Sequence, residues 1–414
     1  MSSADELSED EQVKQLLSAA GLHENERLEK LLKEYKFKDC DAVDVQNAEG
    51  ISPLHAAIAS CEYRKLNGES TSEDVTTESA ACDTVRLLLE SGAIWNQLDK
   101  NGETPGCIAY RLSLYDLYEL MVDAGVRAEI ILNRLDGYER LNDAEDLESE
   151  PEQDRQDGAQ DIEVEDVDDD EVPVLVESAA LTTTTDVTSG LNNDVNSVEY
   201  LASNLVLTRD KLLDGQQNGV MMAWESDIMK QSADSLLTRP GMKILNIGAG
   251  MMIFDSFVQG HENKPDVHHI VEPHPDILTN MEEQGWDKKS GVTIHPGRWQ
   301  EILPQLVAEN QTFDAIYYDT FAESYSDFRE FFTEYVLGLL EPDGKWSFFN
   351  GMGADRQISY DVYQKVAEID LLEAGFDVEW HDMDIPELEA EWDGVKRKYW
   401  NIKQYRLPVC KFMD

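Results

Sequence analysis

The sequence predicts an α/β fold: a doubly wound, mostly parallel sheet that binds a nucleoside, preceded by a small all-α repeat domain. Three observations carry this expectation. Residues 243–247 form an aliphatic run typical of a buried parallel strand, and it stops at Gly248-Ala249-Gly250. Two glycines one apart let the backbone turn sharply and approach a ligand. A second apolar run, 267–271, ends in Glu272, about twenty residues on, where a carboxylate can hold the two hydroxyls of a ribose. From there to the C-terminus, short apolar runs alternate with helical ones, as in an α/β domain. A lone Gly-x-Gly also marks many simple tight turns, so the weight rests on the three together.

Composition sets the frame. At 414 residues the chain can hold two or three domains with proper cores. With 85 Asp and Glu against 34 Lys and Arg, its net charge is -51. Such a chain is a poor general binder of nucleic acid or anionic membrane and attracts basic partners. Cys40, Cys61, Cys82, Cys107 and Cys410 are odd in number and lack C-x-x-C spacing, which suits reduced thiols and gives no zinc signature. The acidic N-terminus is neither a secretory signal nor a transit peptide, and no apolar run approaches membrane-spanning length. A soluble monomer of the cytoplasm or nucleus is expected, with no metal.

Along the chain, leucines at helical spacing in residues 11–36 read as amphipathic helices. AEGISPLHAAIAS (48–60) and KNGETPGCIAYRL (100–112) each place Gly, then Ser or Thr, then Pro, then an Ala-containing helix start. The first is close to T-P-L-H-x-A, and the pair resembles the ankyrin repeat. Gly50 to Gly102 is 52 residues, longer than the repeat, and a polar insert at about 62–80 accounts for the excess. Residues 84–102 supply a second helix and loop, and 115–126 the outer helix of a degenerate unit. With so few units, terminal helices must cap the stack. A small ankyrin-like domain over 1–140, contacting protein, is expected. The alternative is a helical domain with chance SPLH and ETPG strings.

Residues 143–171 hold 16 acids and one basic residue, Arg155. Like-charge repulsion predicts a disordered linker over 141–194. It either steers a basic protein or only spaces the domains.

The globular pattern resumes at 195. Residues 197–214 and 219–230 read as helices, and Met251 to Val258 as the first turns of the helix after the glycines. A third strand is expected at 292–297, and a fourth at 313–321, ending in Asp319. A helix over 328–340 leads to a fifth strand (340–350) opened by Pro342-Asp343-Gly344. A helix and strand then follow at 371–380, and a last strand at 399–409.

These elements together resemble the class I methyltransferases that use S-adenosylmethionine. In that family the Gly-x-Gly turn faces the amino-acid part of the cofactor, an acid ends the second strand, and a substrate-facing residue follows the fourth. A Leu-Leu-x-Pro-x-Gly turn precedes the fifth strand and Leu-x-x-Ala-Gly-Phe a late one. Here these are Gly248 and Gly250, Glu272, Asp319, 339–344 and 371–376. Asn246 departs from the family, which often carries an acid there. Ile253 stands where a dehydrogenase would more often have a third glycine.

More narrowly, GVMMAWESDIM, NIGAGMMIF, HIVEPH, GRWQEI and IYYDTF resemble guanidinoacetate methyltransferase, over 195–414. That domain, joined to ankyrin-like repeats and an acidic linker, is similar to the fungal type IV protein arginine methyltransferases, which methylate the internal δ (N5) nitrogen. The resemblance implies that Asp319 and Glu225 clamp the substrate guanidinium and draw charge from the reacting nitrogen. It also implies cofactor contacts. Tyr200, Met221 and Met229 close over the cofactor; Gly248, Ala249, Gly250, Met251, Met252, Ile253 and Phe254 form the turn; Glu272, Pro273 and His274 take the ribose side; and Trp299 and Gln300 border the adenine.

From residue type alone, Asp319 could equally cap the next helix, Glu225 could lie on a solvated helix face, and the methionines could be core. Gly351-Met352-Gly353, where the small-molecule enzymes have small polar residues for a carboxylate, fits an arginine within a protein. The family's ribosomal substrates imply a basic partner. A small-molecule guanidino methyltransferase and a non-catalytic adaptor for basic proteins are the competing readings.

Overall fold

The computed structural model describes residues 7–66, 72–135 and 197–413. The acidic linker expected at 141–194 lies outside these residues. The N-terminal part is helical: α1 (Glu9–Gly21), α2 (Asn25–Glu34), α3 (Pro53–Leu66), α4 (Ser72–Glu90), α5 (Pro105–Arg111) and α6 (Tyr115–Leu135). Both α3 and α5 start on a proline, whose missing N–H is not needed in a first turn. Their leading turns stack: the Lys100 N–H donates to the Glu49 carbonyl at 3.0 Å. His55 ties them, with Nδ1 2.8 Å from Ser52 Oγ and Nε2 3.2 Å from the Glu103 carbonyl. The insert expected at about 62–80 is largely absorbed by lengthening, since α3 runs to Leu66 and α4 begins at Ser72.

After α7 (Ser197–Ala202) the structure corrects the reading of 197–230 as helices. The chain instead forms a three-stranded antiparallel sheet, β1 (Val206–Leu207), β2 (Lys211–Leu213) and β3 (Gly219–Met222), and becomes helical again only at a 3-10 turn, Ala223–Glu225, and α8 (Ser226–Leu236). The signal was Asp214-Gly215, a hairpin pair. The Asp214 carboxylate accepts the N–H groups of Gln216 and Asn218 at 2.8 and 2.9 Å, closing the reversal between β2 and β3.

The main domain is the expected α/β sheet. Its elements are β4 (Lys243–Ile247), α9 (Ile253–Gly260), β5 (Val267–Glu272), α10 (Pro275–Glu283), β6 (Val292–Pro296), α11 (Trp299–Ala308) and β7 (Phe313–Tyr318). Next comes a helix, α12 (Tyr325–Glu330), that continues through a π-helical stretch, Phe331–Val336, into α13 (Leu337–Leu339). β8 (Leu340–Phe348), α14 (Gln357–Glu373), β9 (Phe376–Asp384) and β10 (Gln404–Phe412) complete it. The strand order is β6-β5-β4-β7-β8-β10-β9, parallel from β6 to β8, with β10 antiparallel to both neighbours. The order reverses between β4 and β7, and ligands of such sheets bind at the strands' carboxyl ends beside that point. The last strand starts at Gln404 rather than 399. Ahead of it the Trp400 indole N–H closes on the Ile402 carbonyl at 2.8 Å, holding this segment apart from the ladder.

One core cluster runs from the N-terminal helices through α14 to the sheet. The Tyr118 hydroxyl donates to Asp361 at 2.6 Å, and Arg134 pairs with Glu373 at 2.7 Å. At Gly106 a Cβ would lie 1.8 Å from the Ile358 Cδ1 atom, so α5 and α14 touch at a residue without a side chain. Gly106→Leu is expected to cost about 1–3 kcal/mol by overpacking. Scanning calorimetry of the full chain checks this: an unchanged unfolding midpoint would mean that the contact carries no load.

Candidate active site

Two adjoining pockets open at the carboxyl ends of β4, β5 and β7, and Asp319 lines both. The first is walled by Tyr200, Met221, Val271 and Trp299, floored by Gly248 and Gly250, and bounded by Glu272 and Pro273. The second is an open cleft. It is lined by Glu225, Tyr399, Asn350, Met352 and aromatic residues that include Tyr325, Phe328 and Tyr363.

Asp319 is placed by the turn opposite it. Its N–H donates to the Ile247 carbonyl at 2.8 Å, and its own carbonyl oxygen lies 1.8 Å from where a Cβ on Gly248 would be. Only glycine, here at φ +91°, lets β4 turn this close to the end of β7. The Asp319 Oδ2 atom is buried without a hydrogen-bond partner. Loss of solvation, with the charge of Asp255 added, pushes this carboxyl up to about 7.

Glu225 ends the 3-10 turn and is 2% exposed. Its Oε1 accepts the Met222 N–H at 2.8 Å and the Tyr399 hydroxyl. Burial, and then the charge of Asp319, push it up to about 8, against the opposing effect of those two hydrogen bonds. Two carboxyls with raised pKa values lining one cleft suit a cation, which restores the charge stabilisation that burial removes.

Glu272 closes the first pocket. Its Oε2 accepts the Ala249 N–H at 2.8 Å and its Oε1 the His274 N–H at 2.8 Å, so it fastens the glycine turn to the end of β5. Burial raises it to about 7 despite these bonds.

Several expected contacts fall elsewhere. Met229, Met252 and Phe254 belong to the core: the Met229 sulfur accepts the Tyr317 hydroxyl at 3.2 Å, and Phe254 stacks on Tyr317 at 4.0 Å. Met229 faces the core from α8; for Met252 and Phe254 the cause is the start of α9 at Ile253, two residues later than expected. Met252 stands before it with φ 56°, which turns these side chains toward the sheet. Ala249, Met251 and Ile253 do not line the pocket; the Met251 N–H donates to the Met221 sulfur at 3.2 Å. His274 is buried and caps α10, and Gln300 lies outside the lining, 3.3 Å from Glu323.

Glu323 and Asp255 are among the residues missed. Glu323 accepts the Trp299 indole N–H at 2.9 Å and the Tyr318 hydroxyl at 2.6 Å, fixing the wall between the pockets; its place four residues after Asp319, beyond β7, was the available signal. Asp255 lies beneath the glycine turn. Asn246 Nδ2 donates to its Oδ1 at 2.9 Å and to the Gly248 carbonyl at 3.0 Å, and His268 Nε2 lies 3.0 Å from the same Oδ1. An acid at 246 would face the Asp255 carboxylate, which Asn246 instead meets as a donor.

Comparison with known proteins agrees with this geometry. The guanidinoacetate N-methyltransferase family matches residues 200–410. The chain is 56% identical to protein arginine N-methyltransferase 2 of Aspergillus fumigatus, over 97% of this chain and 96% of that one. It belongs to the protein arginine N-methyltransferase 2 family. Identity to the Aspergillus oryzae member is 55%, covering 99% and 98% of the two chains, and to the Neurospora crassa member 43%, covering 97% and 96%. The α/β domain has the class I methyltransferase fold and its cofactor is S-adenosylmethionine.

The first pocket fits that cofactor. It offers a carboxylate at the end of β5, apolar and aromatic walls, a turn with no side chain in the way, and the unpartnered Asp319 Oδ2 at its border with the cleft. Tyr200, Met221, Gly248, Gly250, Glu272 and Trp299 would hold it. Among the described residues no helix is long and apolar enough to cross a membrane.

Proposed function

We propose that this chain transfers a methyl group from S-adenosylmethionine to the δ (N5) nitrogen of arginine residues in proteins. The observation that carries this reading is that Asp319 and Glu225, both with raised pKa values, line one cleft beside the cofactor pocket. A guanidinium is a poor nucleophile because its charge is delocalised and its pKa very high. Asp319 Oδ2 has no partner and can take one guanidinium N–H; Glu225, with Oε1 committed to Met222 and Tyr399, can offer Oε2 to another. With both terminal nitrogens held, the internal nitrogen is the one left to react. The cofactor supplies an electrophilic methyl. The proton displaced from the arginine passes to one of the two carboxylates, whose raised pKa values suit a base near neutral pH.

A protein substrate is supported by the relatives, which are named protein arginine N-methyltransferases. Gly351-Met352-Gly353 in the cleft wall brings no polar side chain for a free carboxylate, although Asn350, Arg397 and Lys398 stand in the same lining. The stacked turns before α3 and α5, with His55 bridging them, support the ankyrin-like reading of the N-terminal helices, and the joining of such repeats to this domain supports the type IV assignment. The net charge of -51 favours a basic partner, such as a ribosomal protein, in cytoplasm or nucleus.

The test is incubation with methyl-labelled S-adenosylmethionine and, in parallel, cytosolic protein, guanidinoacetate and free arginine. Label entering protein is expected. Label confined to the small compounds would make this a small-molecule guanidino methyltransferase, and cofactor binding without transfer to any of them would favour an adaptor.

The carboxyls also set a pH dependence. Only ionised Asp319 and Glu225 attract the guanidinium, so kcat/KM should rise with pH through about 7 to 8, and Glu225→Gln should remove the upper part of that rise. Stability should move the other way. A carboxyl whose folded pKa lies above its unfolded value binds its proton better when folded, so stability falls as pH rises from about 4 to about 8 and is level beyond. Thermal unfolding across that range checks the sign.

A further inference from the structure

The N-terminal helices reach the active-site cleft without lining it. Helix α14 stands between: Ile358 meets Gly106 of α5 and Val362 meets Gly125 of α6, while Tyr363 and Ala367 of the same helix line the cleft. Tyr363 connects the two sides. Its hydroxyl donates to Glu129 Oε2 of α6 at 3.0 Å, and Glu129 is 2% exposed. Its ring lies 5.8 Å from that of Tyr325, another cleft residue, whose hydroxyl donates back to Asp370 of α14 at 2.7 Å. Beside this buried link stand Tyr118 with Asp361, Arg134 with Glu373, and Lys365 with Asp123 at 3.5 Å, so α14 is held along its length.

We propose that the N-terminal helices set the substrate wall of the cleft through the Glu129–Tyr363 bond, which makes Glu129 a positioning residue for the arginine-bearing segment. A tyrosine that only filled the core would need no buried carboxylate behind it, since an apolar pair of the same shape packs at little cost. A carboxylate accepting from the hydroxyl fixes where the ring stands. The effect is confined to one pocket, because no residue of α14 or of the N-terminal helices lines the cofactor pocket. The N-terminal part is thereby a component of the catalytic unit, besides any partner that it recruits.

The test uses the full chain carrying Tyr363→Phe, Glu129→Leu, and both together. For its kinetic arm it rests on the methyl-transfer reading above; for hydrogen exchange it does not. The probe is a salt extract of ribosomal proteins. Each variant is expected to raise the apparent KM for the extract about three- to tenfold, the loss of one buried hydrogen bond, with S-adenosylmethionine affinity by calorimetry unchanged. Exchange should quicken in 348–354 and 357–373 and stay constant in 246–252. The double variant removes both polar groups and should regain stability yet keep the high KM. Restored KM in the double variant, unchanged KM in the single ones, or cofactor affinity falling in step with KM would each overturn the proposal. If wild type labels no protein, the methyl-transfer reading fails by itself, and the exchange pattern alone decides the proposal: quickening confined to the cleft wall upholds it, and unchanged exchange there overturns it.

Discussion

Asp319→Asn should lower turnover on protein by about 10²–10³-fold, or roughly 2.7–4 kcal/mol, while cofactor affinity stays close to that of the wild type. The amide keeps the shape of the side chain and its backbone bond to Ile247, so the glycine turn and the first pocket are undisturbed. What disappears is the charge. An amide can present one oxygen to the guanidinium, but it cannot draw positive charge off the reacting nitrogen or accept the proton that leaves. The variant should also relieve Glu225, whose raised pKa owes its second contribution to Asp319, so the remaining activity should reach its plateau at lower pH. Single-turnover kinetics with calorimetry separates the two effects. Wild-type turnover in this variant would remove Asp319 from the chemistry, and lost cofactor affinity would move it to the binding of the cofactor.

Gly248→Ala should act on both pockets at once. The new methyl group would sit 1.8 Å from the Asp319 carbonyl oxygen, in a backbone at φ +91° that alanine adopts only with strain. Because the obstacle is backbone, no rotamer relieves it; the turn after β4 must draw away from the end of β7. That displaces the floor of the first pocket and the carboxylate at the border of the second together, and displacement by about 1 Å can cost about 10²-fold in rate. Cofactor affinity should fall as well, in contrast to Asp319→Asn. Calorimetry with S-adenosylmethionine checks the difference: full affinity in Gly248→Ala would show that the turn tolerates a side chain.

The main sheet was legible because its strands are buried on both faces. Runs such as 243–247 and 267–272 are then rich in aliphatic residues with little alternation, and each ends where a functional residue stands. Asp319 and Glu272 were found for that reason, as the first residue beyond β7 and the last of β5. The small sheet β1–β3 was not, because its strands are two to four residues long and their leucines and methionines suit a helix equally well; only Asp214-Gly215 marked the hairpin. Within the glycine segment, the sequence could not say which side chains face the pocket. A single left-handed residue, Met252, decides that, and it sends Met252 and Phe254 to the core. Tyr399 and Tyr363 were invisible for another reason. They lie in loops or on a helix far apart in sequence, and only folding brings them to one cleft.

The most direct test of N5 methylation of protein arginine is the chemical identity of the product. Protein labelled by the purified enzyme with isotopic S-adenosylmethionine would be hydrolysed to amino acids and the labelled species identified by tandem mass spectrometry. N5-methylarginine is the expected product, lost in parallel by Asp319→Asn. Methyl on a terminal nitrogen, in the monomethyl or dimethyl form, would contradict a clamp that holds both terminal nitrogens and leaves the internal one free to react.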